Sequence, residues 1–151
     1  MARVGFRGVL TASAMVAASL LASTVVAPAA NAAGKRWGPI YAKSGHTAIG
    51  SADGDFANNG GVYATVGANW RDLRNDGMPT FVRVEFFFLV EGKWESAGSS
   101  ESARTHTHAS GPLSRRLRHE ATAARAAIHV CVDRNALPDF CSRDAIVSFN
   151  Y

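Results

Sequence analysis

The side chains best suited to chemistry are few and scattered. His106-x-His108 is the closest histidine pair in the chain. Residues two apart share one face of a strand, so the two rings would project together and could chelate Zn²⁺ or Cu²⁺ with a third ligand from elsewhere. No H-E-x-x-H or paired C-x-x-C accompanies them, and two exposed polar residues on an edge strand or loop are the plainer reading. No metal or other cofactor is therefore expected. Asp53-Gly54-Asp55 and Asp72 with Asp76 offer oxygen ligands of the kind Ca²⁺ takes. They lack the alternate acids and closing Glu of an EF-hand loop, and turns use Asp in any case. Serines are plentiful but no G-x-S-x-G elbow is present, so a triad would have to be assembled by the fold. No catalytic residue is assigned.

Three further groups bear on binding. Arg115-Arg116-x-Arg118-His119 is a basic cluster without an interleaved aromatic. It lacks the stacking platform that single-stranded nucleic acid needs, and reads as a solvated loop. Trp94, just after a turn, and Phe87 are the candidates for an exposed aromatic that stacks on a sugar ring. Trp70 shares the apolar face of its strand and reads as core, and Trp37 lies in the lead-in segment. The two cysteines, Cys131 and Cys141, form an even count. In an exported chain that reads as a disulfide, worth about 2–3 kcal/mol on the chain-entropy account.

The elements that must position these groups read as strands. Thr80–Val90, TFVRVEFFFLV, is the most apolar run beyond the N-terminus. At a period of two, Val82, Val84, Phe86, Phe88 and Val90 fall on one side, and Phe81, Arg83, Glu85, Phe87 and Leu89 on the other. One face is core and the other half-covered, as in an antiparallel sandwich. Phe81, Phe87 and Leu89 then need either a covering loop, for which residues 98–118 are the candidate, or a partner surface.

Residues 62–70 alternate in the same way, and Asn75-Asp76-Gly77 is a tight-turn tripeptide. The pattern predicts a hairpin of 62–72 against 79–90, with a return strand from Trp94 to Ala97, so that Thr80–Val90 is central. Turns are expected at Asp53-Gly54-Asp55 and at Asn58-Asn59-Gly60-Gly61. Short edge strands are expected at 40–42 and 104–108. Residues 115–127 are rich in Ala and Arg, which suits a short helix, but Leu117 is their one large apolar residue, which favours irregular chain leading into a strand from Ala126. A loop over 133–140 and a last strand over 141–151 complete the pattern, with the cysteines stapling this C-terminal hairpin. About six to eight strands with no confident helix beyond the N-terminus spell an all-β antiparallel sandwich.

The N-terminus carries Arg3 and Arg7, an apolar stretch over 9–26, Pro28 and the small-residue run Ala29-Ala30-Asn31-Ala32-Ala33. A positive n-region, an apolar h-region and an Ala-x-Ala site are the parts of a secretory signal peptide. Residues 1–33 are read as that signal, helical in its apolar part, and 34–151 as one secreted domain. No stable membrane span remains after cleavage after Ala32 or Ala33. The chain as a whole carries 16 Lys and Arg against 12 acids, a net charge of +4. Two of the cations belong to the signal, leaving +2 on the domain, which gives no argument for nucleic acid.

The Ala-rich signal ending Ala30-Asn31-Ala32, the block Arg71-Asp72-Leu73-Arg74-Asn75-Asp76-Gly77 and the Cys-x9-Cys segment Cys131–Cys141 give the chain a resemblance to the small secreted proteins of uncharacterised function found in actinobacteria. The resemblance covers most of the domain, rests on a turn and a staple, implies export and a β-sandwich, and carries no catalytic residues. The expectation is a secreted, non-enzymatic binding or cell-surface domain, with a cell-wall polymer or glycan as partner. A small hydrolase or metal-dependent enzyme built on His106, His108 and nearby acids is the alternative, and a secreted toxin or inhibitor the second alternative.

Overall fold

The computed structural model describes residues 34–151. The expected signal peptide and its helix lie outside the described residues. Nine strands make up the fold: β1 (Lys35–Ser44), β2 (Thr47–Asn59), β3 (Tyr63–Asp72), β4 (Thr80–Val90), β5 (Lys93–Glu101), β6 (His108–Arg116), β7 (Ala121–Arg134), β8 (Leu137–Cys141) and β9 (Ala145–Asn150). They form two antiparallel sheets, one in the order β1-β2-β3-β6 and the other β5-β4-β7-β8, with β9 also paired to β7. β4 occupies one edge of β7, and β8 and β9 lie end to end along the other. The sheets pack face to face as a β-sandwich, with one strand more than the expected range. Among the described residues no helix is long and apolar enough to cross a membrane.

The core follows the alternation of the strands. Ala52, Phe56, Ala64, Val66, Ala68 and Trp70 project inward from the first sheet, and Val82, Val84, Phe86, Phe88, Ile128, Val130 and Val132 from the second. Large and small groups are matched across neighbouring strands. Phe86 faces Ala126 and Phe88 faces Ala124 on β7. On the far side of β7, Ala126 faces Val147 and Ala124 faces Phe149. The alanines leave room for bulky neighbours on both flanks, as a close-packed interior requires.

That matching corrects the expectation for residues 115–127. The segment lacks large apolar residues because Phe86, Phe88 and Phe149 supply the volume, not because it is irregular. β6 runs to Arg116, β7 starts at Ala121, and only 117–120 lie between.

The hairpin of 62–72 against 79–90 is also corrected. β3 and β4 belong to different sheets. β3 has β2 on one edge and β6 on the other, so no edge is free, and residues 73–79 cross between the layers. The link is held by its aspartates: Asp72 accepts from the Arg74 N–H and Asp76 from the Met78 N–H. β4 is central as expected, with the Trp94 strand β5 on one side as expected and β7 in place of β3 on the other.

Three smaller expectations change as well. Asp53-Gly54-Asp55 is not a turn, because β2 runs straight through it. Gly54 faces inward, and a Cβ there would collide with the Gly67 carbonyl oxygen and press on the Trp37 ring. The glycine is there for close packing over Trp37, whose indole N–H donates to the Asp55 carbonyl. The edge strand falls at 108–116 rather than 104–108, and residues 102–107 form a link that touches β4 through a Thr80–Thr105 bridge. The loop over 133–140 is a short turn between β7 and β8, in which Arg134 pairs with Leu137 and Asn135 has positive φ. The disulfide is formed: Cys131 and Cys141 are direct cross-strand partners.

Candidate functional site

The strand registers place a set of polar side chains on the outer face of the four-stranded sheet. Inward positions on β2 and β3 are Ala52, Gly54, Phe56, Val66, Ala68 and Trp70, so the residues between them face out. Tyr41, Ser51, Arg71 and His108 form one row across all four strands. Asp53, Asn69 and Ser110 form the next row. Together with Pro39 they line a groove of about 470 Å³.

The groove mixes hydrogen-bonding types. It presents a carboxylate, an amide, a guanidinium, an imidazole and two serine hydroxyls, with the Tyr41 ring 43% exposed at one end. None of these side chains hydrogen-bonds or ion-pairs with another described residue. By contrast Thr65 and Ser114, two rows away on the same face, are hydrogen-bonded to each other at 2.9 Å. Trp70 forms part of the wall, and its indole N–H is buried without an acceptor among the described residues. Below the second row the Asp55 carboxylate lies over the floor. Gly67 faces out there, and a Cβ on it would stand 2.5 Å from an Asp55 carboxylate oxygen.

Of the residues singled out from the sequence, His108, Asp53 and Trp70 line the groove and the others sit elsewhere. His106 and His108 are both exposed, but His106 lies in the 102–107 link while His108 opens β6. Among the described residues no group of three His, Cys, Asp or Glu could hold a metal ion. Asp53 and Asp55 share an outer face instead of a turn, and Asp72 and Asp76 are engaged by backbone N–H groups.

Trp94 and Phe87 lie on the outer face of the five-stranded sheet, both half-buried. Trp94 pairs with Leu89, and Phe87 with Ser96 on one side and Arg125 on the other. The Arg125 guanidinium stands 3.8 Å from the centre of the Trp94 ring, so one face of the indole is covered. Phe81, on the same outer face, is fully buried. Arg104, from the 102–107 link, closes over it together with Arg83, so a covering segment accounts for Phe81 and not for Phe87 or Leu89.

An ion network surrounds Phe81. Arg83 pairs with Glu101 at 2.8 Å and Asp139 at 3.1 Å, and Arg104 pairs with Asp133 and Glu101. Burial pulls the Arg83 guanidinium down, but the hydrogen bonds and charges of Glu101 and Asp139 outweigh it and hold the group above its ordinary range. The hydrogen bond from Arg104, aided by the Asn135 N–H, holds the Asp133 carboxyl below the usual aspartate range. These charges are satisfied by one another and serve packing.

The basic cluster is also dispersed. Arg115 reaches from β6 to the Ser99 carbonyl on β5, tying the open edges of the two sheets. Arg118 pairs with Glu95.

Sequence reasoning missed Tyr41, Ser51, Asn69, Arg71 and Ser110. Their signal was present in the outward positions of β2 and β3, but it becomes a site only through the pairing with β1 and β6. No family model, curated protein or solved structure matches the chain.

Proposed function

We propose that the chain is an exported, non-catalytic binding domain that holds a polyhydroxylated chain, a glycan or cell-wall polymer, in the groove across β1, β2, β3 and β6. The observation that carries the reading is the double row from Tyr41 to His108 and from Asp53 to Ser110, whose polar side chains converge unpaired on one open groove. Planar acceptors and donors such as Asp53, Asn69 and Arg71 suit sugar hydroxyls, and an exposed tyrosine ring suits the apolar face of a pyranose. Hydrogen-bonding groups left without protein partners are what a ligand would satisfy.

Export is supported by the N-terminal pattern and the formed Cys131–Cys141 disulfide, which belongs in an oxidising compartment. The resemblance to actinobacterial secreted proteins supports the same reading, of a protein that works at or beyond the cell wall.

A second reading uses the Trp94 face. Trp94, Phe87 and Leu89 lie half-exposed together, with Ile146 at 63% exposure on the β9 flank of the same sheet. These apolar groups, with the Arg125 guanidinium set among them, suit stacking on the face of a polysaccharide.

Retention of the 34–151 protein on insoluble glycans and purified cell wall tests both readings. Tyr41→Ala and Asn69→Ala abolish retention if the groove binds. Loss in Trp94→Ala with retention intact in the groove variants moves the site to the second sheet. No retention on any polymer by the unsubstituted protein removes both.

A further inference from the structure

We infer that the groove is one half of a longer track, and that its occupant is a linear anionic carbohydrate chain gripped on both sides of Tyr41; this rests on the groove reading proposed above. A second cleft, of about 560 Å³, lies beside the groove and shares Pro39 and Tyr41 with it. Its far wall is the 142–144 segment that links β8 to β9, and Lys43 stands on its β1 side. Tyr41 is thus a ridge between two clefts rather than the end of one. A ligand lying over it would run from the outer face of one sheet to the seam where β1 meets the other.

The far wall is held in place. The Ser142 N–H donates to the Val130 carbonyl, and the Ser142 hydroxyl accepts from the Val130 N–H and donates to the Arg143 carbonyl. Cys141, at the start of the segment, is tied to Cys131. A wall fixed before binding costs little to order when a ligand arrives.

The charges along the track are unequal. Arg71 lies in the groove, and Lys43 and Arg143 in the second cleft, and none of the three is ion-paired among the described residues. The acids along the track are Asp53 and Asp144, the latter 3.6 Å from the His129 imidazole, so the three cations outnumber the carboxylates by one. A neutral chain covering three unpaired cations would replace their water only with hydroxyl acceptors and leave the charges uncompensated. A chain bearing carboxylates or phosphodiesters would replace it with charge-assisted hydrogen bonds. The repeat of cations on both sides of Tyr41 suits a polymer that carries an anion on successive units, and the fork of Arg71 and Arg143 suits planar or tetrahedral oxyanions alike.

Titration calorimetry of the 34–151 protein with three ladders of oligomers tests the inference: polyuronates, the same chains with their carboxyls reduced to alcohols, and polyol phosphates. The expected result is binding of an anionic ladder about tenfold or more tighter than the reduced one, with affinity that weakens as salt is raised. Affinity should rise again by about tenfold when an oligomer becomes long enough to cross Tyr41. The double variant Lys43→Gln, Arg143→Gln should lose that second rise and keep the affinity for short oligomers. Preference between uronate and phosphate identifies which oxyanion the track takes. Equal, salt-insensitive binding of the charged and reduced chains overturns the anionic assignment while leaving the groove reading intact. An affinity that does not change with length overturns the track. Failure of every ladder to bind removes this inference and the groove reading together.

Discussion

The guanidinium carbon of Arg104 lies 4.4 Å from the centre of the Phe81 ring, and its Nε donates to Asp133. Phe81 points away from the core between the sheets, yet it is fully buried. Arg104 and the segment that carries it therefore act as a lid over an outward aromatic. Arg104→Ala should uncover Phe81 and lower stability by about 0.5–1 kcal/mol, the scale of a cation–aromatic contact near a surface. Urea denaturation checks this, and an unchanged midpoint would mean the lid is ornamental.

The same contact sets an acid response. Asp133 is held below the ordinary aspartate range by Arg104 first and the Asn135 N–H second. A carboxyl with a depressed folded value stabilises fully above its unfolded value of about 4, and loses that contribution as pH falls through the lower folded value. The unsubstituted protein should thus lose this contribution progressively as pH falls from about 4 towards the lower folded value, below which none of it remains. In Arg104→Ala the decline should be shallower, because less remains to be lost. Superimposable acid-unfolding curves after normalisation at neutral pH would contradict the assignment.

The phenylalanine–alanine matching around β7 makes a paired prediction. Phe86→Ala should cost about 3–5 kcal/mol, because it empties a fully buried site. Ala126→Leu should also destabilise, by about 1–3 kcal/mol, because Phe86 and Val147 already occupy the space beside it. Thermal melts of the two variants check both signs. A neutral Ala126→Leu would show that the flanks of β7 are not tightly filled.

Reduction of Cys131–Cys141, which are ten residues apart in sequence, should lower stability by about 2–3 kcal/mol on the chain-entropy account. It should also loosen the 142–144 wall, so that long oligomers lose affinity while short ones do not. Calorimetry with and without a reductant reads both effects, and equal losses for short and long oligomers would detach the wall from the staple.

The sequence made the sandwich and the staple legible because both rest on local signals. Alternation in Thr80–Val90 identified its core face, and two cysteines across a short turn can pair in one way. The layer change after β3 was not legible. Two alternating runs joined by Asn75-Asp76-Gly77 look the same whether the turn closes a hairpin or crosses a sandwich, and β6, from far along the chain, decides by filling the free edge of β3. β7 was hidden for a related reason, since its alanines make sense only beside Phe86 and Phe88. The groove lies one step further from the sequence. Tyr41, Ser51, Arg71 and His108 come from four strands, and only the register of three strand pairs aligns them.

The most direct test of the groove is amide chemical-shift mapping of the 34–151 protein during titration with a soluble wall-derived or acidic glycan. The account predicts shifts concentrated at Tyr41, Ser51, Asp53, Asn69, Arg71 and His108, and extending to Lys43 and Arg143 with longer chains. Shifts confined to the Trp94 and Phe87 face, or none at saturating ligand, would contradict it.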